Sequence, residues 1–273
     1  MKLGRIPWIN CHPVYGAFDR SIVPLDAELV PGTASELNDL LAAGHLDLSV
    51  VSAVEYARGS AGYHLLPSLA ISCDGPVHSV LLLSRRPPAE LDGATVLVSA
   101  SSRTSVLLLE LLCRRRWRVE PRFVTTPLEP PDLPRLAAVP HEGVLVIGDA
   151  ALVLQQSAAY RWVTDLGTEW KAWTDLPFVF AVWAARREAP LDRVRHVHGQ
   201  LLESRSWGLA HLDELATQAA GQTGLDRDAC RAYLANIDYA LGERHLAGLT
   251  TFFRRLARER LAPEASLSFL PAA

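Results

Sequence analysis

The chain has 273 residues and a formal net charge of -3, from 27 basic and 30 acidic side chains; 49% of its residues are hydrophobic and 21% charged. This is the balance of a globular protein long enough to bury a sizeable core, organised as one large domain or two small ones. It excludes a general nucleic-acid binder, which needs a basic excess to neutralise phosphates, but leaves room for a locally positive site that holds a small anion. Only Lys2 and Lys171 are lysines, so 25 of the 27 basic residues are arginine and there is little scope for covalent amine chemistry. Cys11, Cys73, Cys113 and Cys230 are scattered with no C-x-x-C pair, so neither a metal site nor a disulfide framework is expected. The opening residues lack the apolar core of a secretory signal, and no run approaches the ~20 apolar residues of a membrane span. A cytoplasmic protein with no membrane or nucleic-acid partner is therefore expected.

In chain order, residues 2–9 read as a strand ending at Asn10-Cys11-His12-Pro13, with Pro13 favouring an extended or turn conformation at His12. Thr33-x-x-Glu36 forms a capping box, Leu37, Leu40 and Leu41 give the buried face of the helix it opens, and Gly44 stops it. Residues 46–51 form a second strand with Ser52 at its carboxyl end, and residues 79–83 another apolar run that Arg85-Arg86-Pro87-Pro88 interrupts. A strand over 94–98 leads through Ser101-Ser102-Arg103-Thr104-Ser105 into a helix over 106–115. The Pro-rich stretch 127–140 reads as surface loop, 144–147 as a buried strand, and Gly148-Asp149-Ala150 as the start of a helix. A final apolar run over 178–183 precedes an almost wholly helical remainder from about 191 to 260.

This alternation predicts an α/β fold. Residues 94–174 carry their own strand–helix–strand units between the runs 79–84 and 178–183. If both runs cross between lobes, residues 1–84 with 184–273 form one lobe and 85–183 the other, with a binding cleft between them.

The candidate site residues lie where strands end. Ser102, Thr104 and Ser105 at a helix start combine backbone N–H groups with short hydroxyl donors, which suits a carboxylate or phosphate, although Ser and Thr in such places also serve as ordinary caps. Gly148 and Asp149 repeat the arrangement, with Asp149 either an N-cap or a ligand contact. Ser52 sits at a strand carboxyl end, where ligands gather in doubly wound sheets. Asn10 either shapes a turn or offers its amide to a ligand. His12 is a possible acid or base or a structural residue. Ser79 enters a buried run and needs a hydrogen-bond partner, of which a ligand is one. Trp162, Trp170 and Trp173 around Lys171 line a cleft or, more simply, pack in the core; His45, His245 and Arg114-Arg115-Arg116 read as structural or solvated. The chain has no G-x-S-x-G elbow, P-loop, H-E-x-x-H or G-x-G-x-x-G, which argues against a hydrolase triad, phosphate transfer or metalloenzyme chemistry.

Several segments together resemble one family. Gly4-Arg5-Ile6-Pro7-Trp8-Ile9-Asn10 is similar to the G-R-I-P-Y-L-N opening of the chorismate dehydratases of the futalosine route to menaquinone, the MqnA family. The runs 31–38, 46–57, 71–80 and 173–183 continue the resemblance in register over nearly the whole chain. Trp8 stands for the usual Tyr, and His78 stands where Arg is common. The resemblance implies a two-lobed type 2 periplasmic-binding-protein-like fold with a central cleft and hinge. It implies an enzyme that needs no cofactor and removes water from chorismate to give 3-[(1-carboxyvinyl)oxy]benzoate. Asn10 and Ser79 would then act on the reacting part of the substrate, with Ser52, Ser102, Thr104, Ser105, Gly148 and Asp149 holding a dicarboxylate. The enolpyruvyl carboxylate of chorismate itself would serve as the base. The cyclisation lyase later in that route usually opens with a Ser-Pro-Cys-Pro-Asn-Asp-like run that this chain lacks. A cytoplasmic binding protein or sensor for an aromatic acid is the alternative on the same fold.

Overall fold

The computed structural model describes residues 1–100, 102–126, 136, 138–155 and 157–272. The strands run in chain order as β1 (Lys2–Arg5), β2 (Glu28–Pro31), β3 (Leu48–Ser52), β4 (Tyr63–Cys73), β5 (Val80–Ser84), β6 (Thr95–Ser99), β7 (Arg122–Thr126), β8 (Gly143–Ile147), β9 (Trp162–Asp165) and β10 (Phe178–Arg186). Among the described residues they form two five-stranded sheets, ordered β2-β1-β3-β10-β4 and β7-β6-β8-β5-β9. The two sheets share one plan. Three neighbouring strands pair in parallel, and the fourth strand of each sheet pairs antiparallel with both of its neighbours. β3, β5 and β8 are buried at every position, as expected for strands covered on both faces, which is why they read as continuous apolar runs.

Period-two alternation divides the second sheet between two cores. Leu82, Val96, Val98, Leu145 and Ile147 belong to the large core shared with the first lobe. Their neighbours Leu81, Leu83, Leu97, Val144 and Val146 pack with Leu154 and Tyr160 in a separate outer core.

The lobe boundaries expected at 84/85 and 183/184 move. β5 lies in the second sheet and β10 in the first, so neither apolar run crosses between lobes. The crossings are residues 74–79, between β4 and β5, and 175–177, between the helix Leu166–Thr174 and β10. Each crossing delivers the chain directly into the fourth strand of the sheet it enters. Both segments carry a proline, and Asp175 is left-handed with φ 57°, as befits a tight connection.

One local expectation also changes. The first strand stops at Arg5, and residues 9–19 form a 3-10 turn followed by the helix His12–Asp19. Pro13 sits at the start of that helix, where its missing N–H costs nothing, and buried Val14, Tyr15 and Ala17 hold the helix down. The long edge strand β4 carries Pro67 and Ser68 at its middle; Ser68 has φ 60°, and the pairing with β10 shifts register there. An irregularity of this kind is where an edge strand admits proline.

Other local expectations hold. Thr33 and Glu36 form the reciprocal capping box, and Gly44 follows the helix end with φ 79°. The C-terminal region folds as helices Leu191–Ala210, Leu212–Thr223, Arg227–Asn236 and Glu243–Arg258. Helix Leu191–Ala210 packs so closely on the first lobe that a Cβ at Gly208 would lie 2.1 Å from the Pro13 carbonyl oxygen.

Candidate active site

The carboxyl ends of four parallel strands, two from each sheet, meet at one cleft. β1 leads to Asn10, β3 ends at Ser52, β6 leads to Ser102–Ser105, and β8 leads to Gly148. Ser79, the last residue of the first crossing, completes the set. Of the residues singled out in the sequence, Asn10, Ser52, Ser79, Ser102, Thr104, Ser105 and Gly148 line this cleft. Its walls are apolar, from Ile6, Trp8, Ile71, Ile147 and Phe180, and it encloses about 650 Å³ of space, mouth included. An apolar slot with a few convergent hydroxyls and amides suits a small ring that carries polar substituents.

The hydroxyls differ in what they already hold. Ser52 caps the helix Ala53–Gly59 by accepting from Glu55 N at 3.2 Å, and Asn38 Nδ2 also donates to it at 3.2 Å. Its proton is what remains for a ligand. Thr104 Oγ1 accepts the Val54 backbone N–H across the cleft at 3.0 Å. Arg103 precedes the helix Thr104–Leu112 and supplies no capping oxygen, so the first-turn N–H groups have no side-chain acceptor of their own at the N-cap. Ser102 and Ser105 flank that helix start. Arg103 lines the cleft too, but its guanidinium is spoken for by Glu55 and Asp39 of the first lobe. Ser101 and residues 127–135, part of the expected surface loop, lie outside the described residues.

Asn10 Oδ1 is buried and has no donor. Gly148 adopts φ 63° and lies under the Trp8 indole, where a Cβ would approach the ring to 3.0 Å. Only glycine fits both the left-handed backbone and the contact.

Three candidates fall elsewhere. Asp149 does not line the cleft. Its carboxylate accepts from Ile9 N at 3.1 Å and from Gln222 Nε2 at 3.1 Å, joining the second lobe to the first. Burial raises its pKa to about 6, against the pull of those two donors. His12 is buried behind the cleft with Nε2 3.1 Å from Gln222 Oε1, and burial lowers its pKa. Exposed His78 points away from the lining, with φ 62°, while its backbone N–H donates to Asp165 at 2.7 Å.

The tryptophans divide: Trp170 packs in the core against Phe178 and Phe252, Trp173 lies partly buried under Arg255, and Trp162 is exposed, so core packing does not hold for it. His245 is structural, with Nε2 on Asp238 and Nδ1 accepting from Gly242 N. Sequence reasoning missed Tyr233, because nothing within its helix marks it. Among the lining residues Cys11 and Arg103 are the ionisable ones; burial pushes the Cys11 thiol up to about 12, so it is inert near neutrality.

Two α/β lobes flanking a hydroxyl-lined cleft give the architecture of the periplasmic-binding-protein fold. Solved structures share this fold. A crystallised protein from Archaeoglobus fulgidus matches with a TM-score of 0.81 at 19% identity, covering 95% of this chain and 97% of that one. The alkanesulfonate-binding protein SsuA from Xanthomonas axonopodis pv. citri, bound to MOPS, matches with a TM-score of 0.67 at 16% identity, covering 100% and 94%. The sequence is more particular. The profile of the family described as menaquinone biosynthesis matches residues 1–258, and the chain belongs to that family. It is 35% identical over 237 residues to the chorismate dehydratase of Thermus thermophilus, covering 81% of this chain and 84% of that protein. It is 27% identical over 216 residues to the 1,4-dihydroxy-6-naphtoate synthase of the same organism, covering 78% and 76%.

Proposed function

We propose that the protein is a cytoplasmic chorismate dehydratase of menaquinone biosynthesis, forming 3-[(1-carboxyvinyl)oxy]benzoate. The observation that carries this reading is Asn10, whose Oδ1 is buried without a partner, in an apolar cleft lined otherwise by serine and threonine hydroxyls. A buried acceptor left unmatched is costly, so a ligand that brings a hydrogen-bond donor, such as a hydroxyl, suits it. Chorismate brings one at C4, together with two carboxylates for the donors. The relationship to a Thermus chorismate dehydratase supports the same substrate.

The reaction asks little of protein acid–base groups. The C3–H electrons become the new ring double bond as the C4–O bond breaks, and the ring gains aromaticity. The enolpyruvyl carboxylate takes the C3 proton, hydroxide leaves from C4, and the net loss is water. Neither Cys11 nor Arg103 is a base near neutrality, which favours this substrate-assisted route. The enzyme's contribution is to fix one conformer and hold the carboxylates in a dry site. In this reading the hydroxyls of Ser102, Thr104 and Ser105, with the helix-start N–H groups, hold one carboxylate. The Ser52 proton and the Gly148 backbone bound the same space, and Asn10 and Ser79 orient the reacting carbons.

Incubation with chorismate, followed by product detection by mass spectrometry, tests the reading. Loss of chorismate with gain of the aromatic enol ether is expected. Tight binding without turnover favours an aromatic-acid sensor, and no interaction with chorismate favours the naphthoate synthase branch; either result overturns the proposal.

A further inference from the structure

The C-terminal helix Arg227–Asn236 grips the first crossing at two points. Asn236 Nδ2 donates to the Pro76 carbonyl at 2.7 Å, and the Tyr233 hydroxyl donates to Ser79 Oγ at 2.9 Å. The second contact joins residues 154 positions apart and is buried. Tyr233 does not line the cleft, whereas Ser79 and Asn10 do.

The direction of the hydrogen bonds is informative. A serine hydroxyl has one proton and two acceptor sites. Tyr233 fills one acceptor site of Ser79, so the Ser79 proton must be donated elsewhere. The protein acceptor near it is the Val77 carbonyl, at a long 3.4 Å. Tyr233 Oη is thus tied to one of the two residues assigned to the reacting part of the substrate. Burial holds the phenol protonated well above its ordinary range, so it remains a donor across the working pH range and is not a proton source.

We propose that Tyr233 is a positioning residue for the dehydration, keeping the Ser79 proton turned toward the substrate. The proposal rests on the dehydratase reading above. A hydroxyl acting through Ser79 sharpens the chemical step more than ground-state binding, so it belongs in kcat.

The test is a double-mutant cycle in the full-length protein with chorismate as substrate. Tyr233→Phe preserves the packed ring and removes only the hydroxyl. Its kcat is expected to fall roughly 10- to 100-fold, with KM within about threefold of wild type. In a Ser79→Ala background the same substitution is expected to change kcat by less than about twofold, because the group it acts through is gone. A merely structural tyrosine would lower the melting temperature and reduce kcat by the same factor in both backgrounds; that additivity overturns the proposal, as does an unchanged kcat in Tyr233→Phe alone. If the wild-type protein does not turn over chorismate, the dehydratase reading and this proposal fall together, which separates that failure from the failure of the Tyr233 role.

Discussion

Thr104 Oγ1, at the start of a second-lobe helix, accepts the backbone N–H of Val54, at the start of a first-lobe helix, 3.0 Å away. The adjacent Arg103 reinforces the tie through Glu55 and Asp39. The lobes are therefore joined beside the cleft by groups of the chain itself, at the helix start proposed to hold a carboxylate.

Thr104→Val keeps the shape and removes the acceptor, leaving the Val54 N–H without its partner at a cost of about 1–3 kcal/mol. KM for chorismate is expected to rise roughly tenfold, in line with ~1.4 kcal/mol, while Thr104→Ser stays near wild type. Steady-state kinetics of the two variants check this; equal KM values would show that the tie does not contribute to substrate binding.

Asn10 and His12 are two residues apart but face different surroundings. Asn10 lines the cleft with an unmatched acceptor, and His12 is held by Gln222 behind it. Asn10→Ala is expected to lose about 10²–10³-fold in kcat, the scale of removing one transition-state contact. His12→Ala is expected to lower the melting temperature and retain kcat within a few fold. A His12→Ala protein that binds chorismate but has lost all turnover would assign the base to the protein rather than the substrate.

The pH profile offers an independent check. Cys11 titrates near 12, and the other ionisable lining group is an arginine in two ion pairs. With neither ionisable group among the described lining residues acting as a base near neutrality, kcat is expected to be flat from about pH 6.5 to 9. A limb with an apparent pKa near 7 would contradict the substrate-assisted route.

Asp149 gives a prediction about stability. Its pKa is raised by burial to about 6, above the 3.8 of an exposed aspartate. The folded protein therefore binds this proton more tightly than the unfolded chain, and stability declines as pH rises through that window, then levels off. Asp149→Asn removes the buried charge and keeps an acceptor for Ile9 N. It is expected to be more stable than wild type by about 1–3 kcal/mol at pH 7.5, with the difference shrinking toward pH 4.5. Thermal melts at the two pH values measure this, and an equal difference at both would refute it.

Much of this molecule is legible from local pattern. The apolar runs became β3, β5, β8 and β10 because strands covered on both faces need apolar residues at every position. The Thr33–Glu36 capping box and Gly44 did what their types require within a few residues. The hydroxyl run at Ser102–Ser105, Asn10, Ser52 and Gly148 reached one cleft because each follows the carboxyl end of a parallel strand, a place that sequence order reveals.

The helix at His12–Asp19 was hidden by a proline that reads as a breaker until its position in the first turn is known. The exchange of β5 and β10 between sheets was invisible because both are apolar and each fits either sheet. Asp149 and Tyr233 show the limit most clearly: a carboxylate after a strand and a tyrosine on a surface-spaced helix acquire their roles from Ile9, Gln222 and Ser79, whose distance along the chain is 73 residues or more. Composition and local pattern determined an α/β protein with a lysine-poor, hydroxyl-rich ligand site. Only tertiary structure decided which hydroxyls face the cleft, which charges are already neutralised and which residues tie the lobes together, because burial and hydrogen-bond partnership depend on long-range packing that no local periodicity encodes.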